Sequence, residues 1–291
     1  MAEPQALLNK KNYVRPQRKY SWTNMAFTLF GVIWLIISFY PVLYILMSSV
    51  REQNGFLTGS PTWLPTIHPT FSNYLTVLQA GFVHFFFNSL ILSVVTVIFT
   101  VAFSLFLAYV IVRSRNSAVR TIFNVFLIGL ALPIQAAIIP VYVLITKIGL
   151  YDSLGGLILP SIAFGIPLTL LFLVNFVRDI PNELYESMEI EGASDFKMLF
   201  HLVTPLAMPS IISIAIYQFI LAWNNFLFPL VLTQSDSVKV LPLAVVQFQG
   251  DHSLDIPVTM AAVTLSALPL LIAYIFGGRF IRRGMMAGFG K

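Results

Sequence analysis

Six apolar runs constrain this chain more than any other feature: residues 25–50, 86–112, 121–146, 155–177, 206–232 and 257–278. About 20 helical residues cross the hydrocarbon core of a bilayer. Within lipid, only helices and closed barrels satisfy their own backbone groups. No Asp, Glu, Lys, Arg or His falls inside any of the six runs. Charged residues make up only 10% of the chain, against about a quarter in a soluble domain, so the excess apolar surface must face lipid. The expected class is an all-α integral membrane protein with six transmembrane helices. The first run is too long for the apolar region of a signal peptide, about 7–15 residues, and reads as an uncleaved span. Pro133 and Pro140 in the third run, and Pro160 and Pro167 in the fourth, predict kinks or breaks. Residues 51–85 carry Pro61, Pro65 and Pro69, which prevent a continuous helix there.

The basic residues give the orientation. Of 17 Lys and Arg, 14 fall on one side of the spans: five in the N-terminal tail, Arg113, Arg115, Arg120, Arg178, Lys197, Arg279, Arg282, Arg283 and Lys291. Arg51, Lys147 and Lys239 fall on the other. This asymmetry is a positive-inside signal, so both termini and the 178–205 segment are expected in the cytoplasm. The same distribution explains the net charge of +5 better than a nucleic-acid surface does. The expected organisation is a cytoplasmic tail over 1–24, a membrane domain over 25–283 and a cytoplasmic C-terminal tail over 284–291.

Several chemistries are excluded. Cysteine is absent, which removes disulfides, thiol nucleophiles and thiolate metal sites. His68, His84, His201 and His252 are scattered without i,i+4 pairing, so no metal site is expected. No intramembrane ionisable group marks a proton relay, ion-coupled carrier or voltage sensor. There is no phosphate-binding loop of the G-x-x-x-x-G-K-[ST] type and no catalytic Ser/His pair in the spans. The chain is therefore expected to be non-enzymatic and to hold no cofactor of its own. The spans do contain uncharged polar groups, among them Asn88, Gln135, Gln218, Trp223, Asn224 and Asn225. These are candidates for a path taken by a hydroxylated solute, with Trp223 as a stacking face. The alternative is hydrogen bonding between helices, about 0.6 kcal/mol each.

Between the fourth and fifth runs lies a polar island, Arg178–Pro205, holding six of the 12 acidic residues: Asp179, Glu183, Glu186, Glu189, Glu191 and Asp195. Pro181 suits a first helical turn, where Glu183 complements the helix dipole. Glu183, Glu186 and Glu189 recur at i,i+3, while Leu184 and Met188 pair at i,i+4. Glu189 and Glu191 near the helix C-terminus are locally unfavourable, a pattern that calls for a basic or capping partner. Gly192 stops the helix, and Ser194 caps the next one with Asp195 in its first turn. Phe196, Leu199, Phe200 and Val203 form an apolar stripe, and Pro205 and Pro209 are expected to end it and start the fifth span.

Glu186-Ser187-Met188, Gly192 six residues after Glu186, and Leu202-Val203-Thr204-Pro205 with Leu202 ten after the glycine resemble the E-A-A loop of permeases from binding-protein-dependent ABC importers. Ser187, Met188, Leu202 and Thr204 depart from the commonest residues of that loop. Pro61, Pro65, Asn73-Tyr74, Gly149-Leu150-Tyr151-Asp152-Ser153, Trp223-Asn224-Asn225-Phe226 and the tail from Gly284 to Lys291 resemble the carbohydrate branch, and within it the maltose G-type subunits. The resemblance implies the type I importer architecture, with cytoplasmic coupling helices between spans 4 and 5. It implies that Glu183, Leu184, Glu186, Met188, Glu189, Gly192, Ala193, Phe196, Leu202 and Pro205 dock into or support docking with a cytoplasmic ATPase. The tail residues Gly288, Phe289, Gly290 and Lys291 would touch the ATPase dimer. It further implies two copies of that ATPase, which carry ATP and Mg, a second, non-identical permease, and an extracytoplasmic solute-binding protein, all in a bacterial or archaeal cytoplasmic membrane. The expected function is import of a sugar or oligosaccharide. Alternatives are an oligopeptide or oxyanion permease of the same fold, or a secondary carrier or channel.

Overall fold

The computed structural model describes residues 22–53, 63–66, 68–247 and 255–289, with side chains up to Gly278. The chain divides into two compact units, Met1–Tyr44 and Ile45–Lys291. The described part of the first is an apolar helix, α1 (Trp22–Ser49), whose last turn belongs to the second unit.

The second unit is built from helices of very unequal length. Asn73 fixes its entry: its Nδ2 donates to the carbonyls of Ser49 (2.8 Å) and Arg51 (2.9 Å). From there α2 (Ser72–Val77) passes through a π-helical turn, Leu78–Phe82, into α3 (Val83–Arg113). Gly81 takes φ +89° in that turn, a conformation open to glycine at no steric cost. The helical path thus starts well before the second apolar run.

The third run is two helices, α4 (Ser117–Gly129) and α5 (Ile134–Lys147), bent by 108° at the break. Pro133 is extended (φ −69°, ψ 129°) and restricts Leu132 as well, whereas Pro140 stays inside α5. Among the described residues five helices are long and apolar enough to cross a membrane, or six if this bent pair is one span.

The fourth run stays unbroken as α6 (Leu154–Arg178), across both Pro160 and Pro167. The prolines leave the Gly156 and Ala163 carbonyls without their helical amide donors, and side chains add bonds to other carbonyls of the same helix. Ser161 Oγ donates to the Leu157 carbonyl at 2.7 Å. The Gly165 carbonyl accepts from Thr169 Oγ1 at 2.9 Å and from Gln218 Nε2 at 3.1 Å.

The polar island forms α7 (Asn182–Ile190) and α8 (Asp195–Met198). A π-helical turn, Leu199–Val203, follows, and then α9 (Thr204–Trp223). Pro205 does not interrupt this path. It lies just after the π-helical turn, where the hydrogen-bond register is already altered, and Thr204 Oγ1 donates to the Leu199 carbonyl at 2.8 Å. The second half of the island is therefore continuous with the fifth span.

That span stops at Trp223, short of the end of its apolar run. Asn224 Nδ2 takes the Ile220 carbonyl at 2.8 Å, and Asn225 Oδ1 accepts from the Phe228 amide to open α10 (Leu227–Leu232). Two further helices complete the unit, α11 (Leu241–Gln247) and α12 (Ile256–Phe289).

Helix α3 packs against α6 and α9. Its packed face is small and polar: Ser89, Ser93, Thr96, Thr100 and Ser104 are all buried. Close approach is greatest at Gly165, where a Cβ would stand 3.0 Å from Thr100 Cγ2 and 3.2 Å from Gln218 Oε1. At one end of α3 an apolar core gathers Leu105, Tyr109, Phe123, Leu173, Val177, Tyr185 and Val203. At the other end Phe85, Trp223, Leu241 and Ala261 form a second core.

Candidate functional site

The island folds into an elbow. Pro181 occupies the N-cap rather than the first turn of α7, with φ −58° and ψ 137°, and Glu183 lies in that first turn. Gly192 takes φ +73°, and its amide and that of Ala193 bond back to Glu189 and Met188, which closes the C-terminus as a left-handed cap. Ser194 caps α8 by accepting from the Lys197 amide. No atom lies within 4 Å of where a Cβ on Gly192 would be, so only its backbone conformation demands glycine.

The outward face of α7 carries Glu183, Leu184 and Glu186, with Ile190 beyond them 88% exposed. Its inward face carries Tyr185, 1% exposed, and the partly buried Met188 and Ala193, all on the core that holds Val177 and Val203. Leu202 packs on the same core. The anticipated stripe splits: Leu199 and Val203 are buried, while Phe196 and Phe200 are exposed and only lean on Phe106 (ring centroids 6.4 and 6.0 Å). The π-helical turn shifts the angular register, so α-helical spacing no longer describes one face.

The elbow is also gripped from α3, which sequence reasoning missed. Arg113 Nη2 donates to Glu189 Oε1 in an ion pair, and its guanidinium lies 4.5 Å over the Tyr185 ring. One turn back, Tyr109 OH donates to Asp195 Oδ1 at 2.7 Å. The end of α3 thus holds both sides of Gly192, α7 through Arg113 and α8 through Tyr109. Glu189, expected on the docking front, instead has its basic partner inside the chain. Burial raises the Tyr185 hydroxyl above its usual value of 10.0, against the pull of Arg113, so it stays neutral.

The candidate path residues do not all converge. Gln218, Asn224 and Asn225 line one cavity of about 410 Å³, together with Thr96, Ser161, Phe164, Phe226 and Phe228. Gln218 is 3% exposed and also donates to Thr169 Oγ1 at 2.8 Å. Asn225 reaches Ser161 Oγ at 3.4 Å. Thr96 lines the cavity with a hydroxyl that has no partner. No charged side chain is in the lining.

Trp223 is 2% exposed, stacks on Phe219 and donates its indole N–H to the Ser266 carbonyl at 3.1 Å. It is core rather than a stacking face, because its indole N–H is satisfied only there. Asn88 lies elsewhere, its Nδ2 donating to the carbonyls of Ser237 (3.0 Å) and Lys239 (2.8 Å), so it ties α3 to a loop. Gln135 is exposed at the start of α5 and outside the cavity. Gly288 and Phe289 end α12, and Gly290 and Lys291 lie outside the described residues. Among the described residues no three His, Asp or Glu side chains converge as a metal-ligand set.

On the face of the bundle away from the elbow, Asp152 (φ 55°) accepts from the amides of Gln234 and Ser235 at 2.8 and 3.0 Å. Those two amides hold its carboxyl below the usual 3.8. Ser153 caps α6 beside it by accepting from Gly156.

Residues 100–286 match the model of the binding-protein-dependent transport system inner membrane component. The chain belongs to that family. Such permeases are the non-catalytic, multi-pass membrane subunits of ABC transporters. This permease is 32% identical over 260 residues to the diacetylchitobiose uptake system permease protein of Streptomyces coelicolor, covering 88% of this chain and 85% of the relative. It is 31% identical to the trehalose/maltose transport system permease protein of Thermococcus litoralis, covering 89% and 93%. In fold the permease is similar to a chain of the crystal structure of a bacterial ABC transporter that imports the acidic polysaccharide alginate. The TM-score is 0.73 at 22% identity, over 89% of this chain and 98% of that one.

Proposed function

We propose that this permease imports an uncharged sugar or oligosaccharide and is driven through the Gly192 elbow by ATPase subunits that carry ATP and Mg. The observation that carries the reading is an exposed acidic helix, α7, whose back is buried in the same core as the ends of the spans. A surface so anchored is suited to receive a partner's motion and pass it to the membrane helices. Glu183, Leu184, Glu186 and Gly192 are the docking front. Met188, Ala193, Leu202 and Tyr185 anchor it, and the C-terminal tail is a second contact.

The partners are two ATPase copies, a second non-identical permease and an extracytoplasmic solute-binding protein. The 14-to-3 distribution of Lys and Arg supports a cytoplasmic position for both termini and the elbow, and the host membrane is that of a bacterium or archaeon. A neutral cavity of amides, hydroxyls and phenyl rings suits a glycosyl unit better than an oxyanion. The named solutes of two relatives support the same class.

The test is co-expression with the ATPase and second permease encoded nearby. Glu186→Lys and Gly192→Val should each lower ATPase co-purification and ATP-driven uptake while membrane insertion is kept. Normal values of both in both variants refute the docking role. A glycan panel against the cognate binding protein tests the solute.

A further inference from the structure

A second cavity, of about 220 Å³, lies at the meeting point of three helix ends and serves neither the elbow nor the solute cavity. Its lining is the end of α3 (Ile111, Val112), the α3–α4 turn with Arg115 and Asn116, then Arg120 and Phe123 of α4, and Arg178 at the end of α6. Three arginines therefore line one recess with no carboxylate in the lining. Among the described residues none of the three is in an ion pair. Arg178 is steadied by the Phe123 ring, 5.6 Å from its Cζ. Asn116 caps the 13-residue α4 by accepting from the Ala118 amide, so the positive end of that helix dipole faces the same region.

The positive-inside rule asks only for positive charge near the ends of spans; it does not ask for arginines gathered in one recess. Like charges held together repel unless an anion sits among them. Arginine forks match phosphate oxygens two at a time, and basic pockets between membrane helices suit anionic lipid headgroups. The recess lies at the ends of two membrane-compatible helices, α3 and α6. A lipid headgroup, held at that level by its own chains, reaches it more readily than free phosphate does.

We propose that Arg115, Arg120 and Arg178 bind the headgroup phosphate of an anionic phospholipid. The site lies where the proposed cytoplasmic orientation puts the inner-leaflet headgroups, and it needs no solute or ATPase.

The test uses the full-length permease in nanodiscs of phosphatidylcholine with or without phosphatidylglycerol. Retained lipid is read by native mass spectrometry. Wild type should retain phosphatidylglycerol preferentially. Each Arg→Gln change should weaken that preference about fivefold, and R115Q/R120Q/R178Q about a hundredfold. The triple Arg→Lys variant keeps the charge but loses the fork, so it should recover part of it, and it guards against misfolding as the cause. Equal retention by wild type and the triple Gln variant overturns the proposal. So does displacement of the lipid by inorganic phosphate at equal affinity, which marks a free-anion site. Loss of ATPase co-purification with lipid retention unchanged also overturns it, and assigns the arginines to the protein partner.

Discussion

Replacing Arg113 with alanine tests whether α3 takes part in coupling. The change removes an ion pair whose side chains are 29% and 48% exposed. Screening at that exposure holds its worth to about 0.2–1 kcal/mol. It also lifts a guanidinium off Tyr185, worth about 0.5–1 kcal/mol. Together the latched arrangement loses about 1–2 kcal/mol, so the ratio of latched to released elbow falls about 5–30-fold. The permease should still insert and bind its ATPase, because Glu183 and Glu186 are untouched. The solute moved per ATP hydrolysed should fall, since the elbow now swings without carrying α3. Arg113→Glu with Glu189→Arg should restore much of that ratio, whereas either change alone should not. Reconstituted proteoliposomes, with uptake and phosphate release measured together, give the ratio directly. An unchanged ratio in Arg113→Ala, or failure of the reversed pair to rescue, refutes the idea that α3 holds the elbow.

Gly192→Asn should retain more uptake than Gly192→Val. No atom crowds the added Cβ, the left-handed backbone at φ +73° is the only obstacle, and asparagine adopts it more readily; equal loss in transport assays would count against this. Gln218→Leu should slow uptake with ATPase association unchanged, while Trp223→Ala should lower stability by about 3–5 kcal/mol, which thermal denaturation of the purified protein checks. Asp152 has a depressed pKa, so its tie to Gln234 and Ser235 stabilises fully above the usual 3.8 and is lost as pH falls through its lower folded value. Thermal stability in Asp152→Asn should then be lower than wild type at neutral pH and converge with it only in strong acid.

What was legible in the sequence was local. Gly192 and Ser194 announce the elbow because a left-handed cap and an N-cap depend on single residues and their neighbours. The latch was not legible, because Arg113–Glu189 and Tyr109–Asp195 join positions 76 and 86 residues apart. One signal was present: Glu189 near a helix C-terminus needed a cation, and Arg113 ends an apolar run. Pro133 marked the break in the third run, because a proline restricts its own and the preceding residue, but the angle of 108° needed the fold. Prolines in the fourth run were over-read, since α6 stays helical across both Pro160 and Pro167 within a packed bundle in which Gln218 also ties it to α9. Trp223 was misplaced for a similar reason. A tryptophan beside two asparagines suggests a ligand face, but its N–H is spent on Ser266.

The two helices that hold the elbow also meet at the neutral cavity, and under the proposed function this gives coupling a physical route. From Tyr109 to Thr96 along α3, and from Val203 to Gln218 along α9, the axial distance is about 20 Å at 1.5 Å per residue. Both paths end against Gly165 of α6, between Thr100 and Gln218. A push on α7 would therefore reach the cavity along two helices whose Thr100 and Gln218 side chains rest on the bare backbone of a third at Gly165. Gly165→Ala should disturb this crossing while sparing the elbow, because its Cβ would stand 3.0 Å from Thr100 Cγ2, and the helices must separate by a few tenths of an ångström. Uptake should fall with ATPase co-purification unchanged. Thr100→Ala removes two of the three crowding atoms and leaves Gln218 Oε1 at 3.2 Å, so the double variant should recover part of the uptake. A Gly165→Ala protein that transports normally, or one that Thr100→Ala leaves unrescued, would place the route from elbow to cavity elsewhere.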